Sequence, residues 1–337
     1  MDGAQKMNEF RSNKPFIRNK TINSIIDHLD FSRNKNKQFN IATCSLITGE
    51  SGSGKTQIMN YYTKINPIRN ERNKTTIPVL HYELQTFSNP TELIRSLLIN
   101  LGDPQKGASA KNGAELYRRL IILIKGIGLE ILILDEIQVI IERRSYKVLT
   151  GIADLFKDLI KDSMIPIVFM GMPWSSYLFD SNPQLKRRIS SRFEIPPFKI
   201  STKEFRDDFR RLLKILAIQY GFSKRFKIED LSFSLRCFSF SEGNLGITSA
   251  LIGDAYALSV MKNIPPGIEL FSEVLSRYGV MDENNPFKVP LEKLTFREHV
   301  RNSQWSYGVS ANKNAIIPAE YIHFGVTNSM ELYMMRG

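Results

Sequence analysis

Residues Gly49-Glu50-Ser51-Gly52-Ser53-Gly54-Lys55-Thr56 satisfy the spacing G-x-x-x-x-G-K-[ST]. Each residue type there has a physical use. Glycines let successive backbone N–H groups curl around a phosphate. The following helix, read over 57–65 and opening on Gln57, would aim its positive end at the same anion. Lys55 would reach the β- and γ-phosphates, and the Thr56 hydroxyl would hold Mg²⁺. A Gly/Ser linker is the bland alternative, but a linker does not sit between an apolar strand and a helix. A second constellation follows 79 residues beyond Thr56: Ile131-Leu-Ile-Leu-Asp135-Glu136 ends an apolar run in two carboxylates. At the carboxyl end of a strand, Asp135 would join the magnesium shell and Glu136 would orient and polarise the attacking water. No Asn-Lys-x-Asp guanine reader occurs, so the expected nucleotide is ATP.

A third segment, Gln184-Leu-Lys-Arg187-Arg188-Ile-Ser-Ser-Arg192-Phe193, is basic. Phosphoryl transfer spreads negative charge over the γ-phosphate oxygens, and an arginine from a neighbouring subunit can stabilise it. Arg187, Arg188 and Arg192 are the candidates, and a solvated basic helix is the alternative.

The elements that must position these groups alternate. Residues 41–48 read as a buried strand entering the Gly-rich turn and 57–65 as helix; 77–84 is a second strand after a polar loop at 66–76. Residues 91–101 and 114–125 read as helices, 130–134 as a third strand, 149–162 as helix, 165–170 as a fourth strand and 193–195 as a short fifth. This predicts an α/β fold with a parallel sheet between helical layers, here a P-loop three-layer sandwich. Beyond a boundary near 196–202 the pattern becomes helical. Phe205, Phe209, Leu212, Leu213 and Leu216 form one stripe over 202–220, and 229–238, 245–261 and 268–278 follow. The predicted organisation is an N-terminal arm and helix (1–40, helical over 21–29), a nucleotide-binding domain (41–198), a small helical lid (199–280) and an irregular C-terminal tail (281–337) suited to docking a partner.

Composition fits a soluble cytoplasmic protein: 42% of residues are hydrophobic and 24% charged, and no apolar stretch escapes charge long enough to span a bilayer. The polar N-terminus carries no secretory signal. Cys44 and Cys237 support neither a disulfide framework nor a zinc site. The net charge of +12 suits a polyanion, and it is uneven: residues 183–227 hold 13 Lys/Arg against 4 Asp/Glu.

These elements together resemble the AAA+ ATPases, and more narrowly the TnsC/TniB-type regulators of DNA transposition, including those of CRISPR-associated elements. The resemblance covers about residues 15–265. It rests on Leu46–Thr56, on Pro78-Val-Leu-His-Tyr-Glu-Leu84 and on Leu134-Asp-Glu-Ile-Gln138. It also rests on Ile165-Pro-Ile-Val-Phe-Met-Gly-Met-Pro173 followed by Asn182-Pro-Gln-Leu-Lys-Arg-Arg188, and on Glu242-Gly-Asn-Leu-Gly246. It implies homo-oligomers, rings or helical filaments, assembled with ATP and Mg²⁺ on duplex DNA and linking a TniQ-like target selector to transposase subunits. On the family pattern Arg188 matches the trans-acting finger best. The DNA-contact candidates it implies are Lys106, Lys111, Arg118, Arg119, Arg143, Arg144 and Lys147. Two departures stand out. Gly171 occupies a place where many AAA+ proteins carry a polar residue sensing the γ-phosphate. Ile247 and Thr248 follow Gly246, where a lid arginine is usual, which argues for slow hydrolysis.

The expected function is therefore an ATP-dependent, DNA-binding AAA+ regulator of transposition. Two rivals stand beside it. One is an ATP-locked, DNA-bound scaffold that barely hydrolyses. The other is a replication-initiator or clamp-loader-like ATPase, which would need an appended DNA-reading domain.

Overall fold

A computed structural model describes residues 16–71, 74–85, 89–108, 112–142, 146–306, 316–327 and 330. Its centre is the run that ends in Asp135. Strand β5 (Ile131–Asp135) is buried throughout, as a continuous apolar strand must be when both faces are covered. It lies in a parallel sheet with β1 (Cys44–Gly49), β4 (Val79–Glu83), β6 (Ile167–Gly171) and β7 (Ile189–Ile195), in the order β4-β5-β6-β1-β7.

Alternation along each strand assigns side chains to two layers. Leu46, Leu132, Leu134, Ile167 and Phe169 face one core, built with helices α3 (Pro90–Asn100), α4 (Gly113–Gly126), α5 (Val139–Glu142), α6 (Tyr146–Ser163) and α7 (Ser176–Asp180). Ile47, Ile131, Ile133, Val168 and Met170 face the other, formed with α1 (Lys20–Phe39) and α2 (Lys55–Ile65). The three-layer α/β fold expected from the alternating pattern is therefore present.

The structure departs from the expected elements in several places. Helix α1 runs ten residues past the expected end at residue 29. Its second half has no apolar stripe; instead Arg33, 7% exposed, anchors it. Arg33 donates from Nε to Glu130 at 3.0 Å and from Nη1 to Asn66 Oδ1 at 2.6 Å, and Lys37 pairs with Glu130 at 2.7 Å. Within the expected loop 66–76, β2 (Arg69–Glu71) and β3 (Lys74–Thr76) form an antiparallel pair. Strand β7 begins four residues before the expected 193, because an edge strand tolerates the polar run Ser190-Ser191-Arg192.

The lid contains α9 (Lys203–Tyr220), α10 (Leu231–Ser241), α11 (Leu245–Lys262) and α12 (Ile268–Arg277) around a third core. The expected stripe on α9 needs one correction. Phe205 is 39% exposed, whereas Arg206 is buried and donates to the Ile200 carbonyl at 2.8 Å. The tail, expected to be irregular, is also different. Strands β8 (Thr295–Arg301) and β11 (Glu320–Gly325) pair antiparallel, and Phe287, Leu294, Phe296 and Met330 are buried in the lid core. These residues complete another unit's core in short pieces, so they show no periodicity of their own. Between β8 and β11, β9 (Gln304–Trp305) pairs with β10 (Ile316–Ile317). Among the described residues no helix is long and apolar enough to cross a membrane.

Candidate nucleotide-binding site

Strand β1 delivers Gly49 to the carboxyl edge of the sheet, and the loop then folds back so that the Ser53 N–H donates to the Glu50 carbonyl at 3.1 Å. Gly52 and Gly54 hold φ of 77° and 93°, the left-handed region that glycine enters without strain. Helix α2 starts at Lys55 with only Gly54 at its cap, so its first N–H groups stay free of side-chain acceptors. Lys55 is 6% exposed, and its ammonium donates to the Gly49 carbonyl at 2.6 Å and the Glu50 carbonyl at 3.2 Å. Burial pulls its pKa down, opposed by the charges of Asp135, Glu136 and Glu50.

The two carboxylates meet this loop from β5. The Thr56 hydroxyl donates to Asp135 Oδ2 at 3.0 Å, and the Glu136 N–H donates to Asp135 Oδ1 at 2.8 Å. His81, on the neighbouring strand β4, donates from Nε2 to Asp135 Oδ2 at 3.2 Å. Burial pushes the fully buried Asp135 upward, but the bonds from His81, the Glu136 amide and Thr56 outweigh it and hold the carboxyl below its usual range. Glu136 moves the other way. Burial, then the charge of Asp135, raises its pKa against the hydrogen bond from Gln138 and the charge of Lys55. Neighbouring carboxylates driven apart in this way can divide the work: one stays ionised as a cation ligand while the other exchanges protons.

The lid closes over the loop. Asn244 caps α11 by accepting from Ile247 N–H at 3.1 Å, and its amide donates to the Ser51 carbonyl at 2.7 Å. Gly246 N–H donates to the Gly52 carbonyl at 2.9 Å. A crevice of about 430 Å³ runs between loop and lid, lined by Lys55, Thr56, Glu136, Gln138, Met172 and Gly246 among others. A second, much smaller pocket of about 20 Å³ lies past Asn19, Ile22, Pro197, Phe198 and Gly243 and shares Ser53 and Leu245 with the crevice lining. At the start of α11, Ile247 is 43% exposed and Thr248 turns inward to donate to the Asn244 carbonyl at 2.7 Å; neither position carries a cation.

The family model of bacterial TniB proteins matches residues 6–200. The chain belongs to the TniB family. Among curated protein sequences none matches it. Its fold is that of AAA+ proteins. The TniB-family chain superimposes on the Aeropyrum pernix ORC2 protein, in ADPNP–ADP complexes, with a TM-score of 0.58 at 14% identity, covering 80% of this chain and 70% of that one. The Aeropyrum pernix ORC1 protein in complex with DNA gives 0.55 at 14% identity, covering 78% and 66%. Cdc6p from Pyrobaculum aerophilum gives 0.55 at 14% identity, covering 83% and 73%.

The arginine candidates of this TniB-family chain lie away from its own crevice. Arg187 and Arg188 are exposed in the turn after α8 (Pro183–Lys186), immediately before β7. Ile189 pairs with Cys44 at the start of β1, whereas the phosphate loop leaves the far end of that six-residue strand. At about 3.3 Å per residue the two ends are about 16–20 Å apart. Arg192 is held by Asp180 in a two-pronged pair at 3.2 and 2.8 Å.

Among the DNA-contact candidates, Lys106 and Arg118 are exposed. Arg119 is engaged internally, donating to Asp103 Oδ1 at 2.7 Å and to the Ala108 carbonyl at 2.8 Å. Lys111, Arg143 and Arg144 lie outside the described residues, as does the side chain of Lys147.

Sequence reasoning singled out neither His81 nor Asn244. The signal for His81 was register, since β4 pairs with β5 and places Glu83 beside Asp135. For Asn244 it was position, a cap residue before a lid helix.

Proposed function

We propose that this TniB-family protein is an ATP-hydrolysing AAA+ regulator of DNA transposition that oligomerises on duplex DNA, as a ring or filament, and links a TniQ-like target selector to transposase subunits. The observation that carries the ATPase reading is the convergence of Lys55, Thr56, Asp135 and Glu136 on one crevice beneath the lid.

The triphosphate lies along the loop N–H groups and the start of α2, with Lys55 leaving its carbonyl partners for the β- and γ-phosphates. The adenine end points toward the small pocket between α1, the linker at 196–198 and the lid, which would have to widen to receive a base. Thr56 and Asp135 offer only oxygen donors, which suits Mg²⁺, and bound there the ion would neutralise charge on the β- and γ-phosphates. Glu136 accepts the proton of the attacking water as its oxygen bonds to the γ-phosphorus; the bond to the β,γ-bridging oxygen breaks and its electron pair leaves with ADP. Arg188 completes a neighbouring subunit's site, which its distance from its own phosphate loop supports. The family membership supports the link to transposition, and the net charge of +12 supports DNA as the assembly's track.

The test is to measure Mg-ATP binding, turnover and DNA-dependent assembly for the full chain, Lys55→Ala and Glu136→Gln. Assembly should need ATP and fail in Lys55→Ala; Glu136→Gln should bind ATP and remain assembled without turnover. Monomers on DNA at saturating ATP, or unchanged turnover in Glu136→Gln, rejects the reading. One observation favours a second reading. The lid lines the crevice with Leu245, Gly246 and Ser249 and no cation, as an ATP-locked scaffold with little hydrolysis would. Its signature is bound ATP that persists on DNA in the unaltered protein.

A further inference from the structure

Gln138 is 6% exposed and sits three residues beyond the end of β5, on the wall of the nucleotide crevice. Its amide orientation follows from its partners. The backbone N–H of Met172, the residue after β6, donates to Gln138 Oε1 at 3.0 Å. An N–H can be accepted only by the amide oxygen, so the NH₂ group faces the other way. There it donates to Glu136 Oε2. Gln138 therefore ties the Glu136 carboxylate to the end of β6.

Gly171, the last residue of β6, makes this contact possible. A Cβ at that position would stand 2.5 Å from Gln138 Oε1 and 2.7 Å from Ile137 Cγ2. The Gln138 amide fills the space that a side chain on residue 171 would need.

Glu136 needs such a tether. Its backbone holds φ of 59°, unusual for a residue with a side chain, and its carboxylate stands beside the negative charge of Asp135. Left alone, repulsion between the two carboxylates favours rotation of Glu136 away from the crevice. The bond to Oε2 fixes the rotation of the carboxylate and leaves Oε1 free to face the attacking water.

We propose that Gln138 is the positioning residue for Glu136, supplying from the turn after β5 the polar group that Gly171 cannot supply from β6. The inference rests on the ATPase reading above and deepens it. Glu136 takes the proton; Gln138 fixes where the accepting oxygen points.

The experiment compares the full chain with Gln138→Leu and Gln138→Glu, measuring Mg-ATP affinity, kcat and KM. The leucine removes both hydrogen bonds. The glutamate keeps an acceptor for Met172 N–H but faces Glu136 with a second carboxylate, so it remains informative if the leucine variant fails to fold. Both variants should bind Mg-ATP within about threefold of the unaltered protein and keep a similar KM, yet lose about 10- to 100-fold in kcat. A kcat matching the unaltered protein in whichever variants fold, or a loss carried by KM instead of kcat, overturns the assignment while leaving the ATPase reading intact. An unaltered protein that binds Mg-ATP without ever turning it over overturns the assignment too. One that fails to bind Mg-ATP overturns both.

Discussion

Ser303 donates twice to one carboxylate oxygen of Glu50, from its backbone N–H at 3.1 Å and from its hydroxyl at 2.6 Å. Glu50 is the second residue of the phosphate loop, and Ser303 lies 253 positions later, just after β8. The same segment is fastened on either side. Glu298 accepts from Ile200 N–H at 2.6 Å and Ser201 N–H at 2.8 Å, and the Trp305 ring lies 5.6 Å from that of Tyr177. The C-terminal segment thus clasps the lid, the linker and the phosphate loop together.

Ser303→Ala removes one of the two bonds to Glu50 and should cost about 1–2 kcal/mol of stability, the lower part of the range for hydrogen bonds to charged groups because the pair is part-buried. It should also weaken Mg-ATP binding a few-fold, since Glu50 helps set the loop's shape. Chemical denaturation and nucleotide titration measure the two effects. Unchanged affinity together with unchanged stability would show that the clasp does not act on the loop.

Arg118 and Arg119 are adjacent on α4 but should behave differently. Arg119 grips the largely buried Asp103, which also accepts from Gly107 N–H at 2.7 Å; Arg118 is exposed. Arg119→Ala should cost about 1.5–3 kcal/mol of stability, because a charge-assisted pair is broken and Asp103 is left buried. Arg118→Ala should leave stability within about 0.5 kcal/mol. If Arg118 meets a phosphate, its loss should lower the salt dependence of DNA binding by about one counterion. Equal stability losses in the two variants would contradict this division.

Much of the nucleotide crevice was legible because its chemistry is local in sequence. Eight consecutive residues make the phosphate loop, and one apolar strand carries Asp135 and Glu136 to it. What escaped depends on register and on contacts between distant segments. His81 reaches Asp135 only because β4 and β5 pair as they do. Asn244 and Ser303 reach the loop from 193 and 253 positions away in the chain. The strands and buried aromatics of the tail were illegible for a related reason. Phe287 and Phe296 answer to a core made by α10 and α12, so no period of their own announces them.

The anchor of α1 predicts an acid-sensitive link. Burial raises the Glu130 pKa, but hydrogen bonds from Lys37 and Arg33 outweigh it and leave the carboxyl below its usual value in the folded protein. A folded-state pKa lower than the unfolded one stabilises fully above the unfolded value, near 4.3, and that contribution is lost as pH falls through the folded value. Between about pH 5 and 3, the unaltered chain should lose stability more steeply than Glu130→Gln, which has no such proton to bind. Denaturation midpoints across that range provide the measurement, and parallel pH curves for the two proteins would remove Glu130 from the account.

The separation between Arg188 and its own phosphate loop predicts complementation between copies. Arg188→Ala should lower turnover by about 10³-fold if the guanidinium acts on transition-state charge, while leaving ATP binding by the same subunit intact. Glu136→Gln should be inactive for the opposite reason, a defective site beside a sound arginine. Mixed on DNA, the two form some interfaces in which an intact Glu136 site faces an intact Arg188, so turnover should reappear in the mixture though neither variant shows it alone. A finger acting in its own subunit gives no such recovery, because no single chain in the mixture carries both groups. The same experiment with Arg187→Ala and Arg192→Ala separates the three candidates. Arg192, already committed to Asp180, should complement least because its loss should affect turnover least.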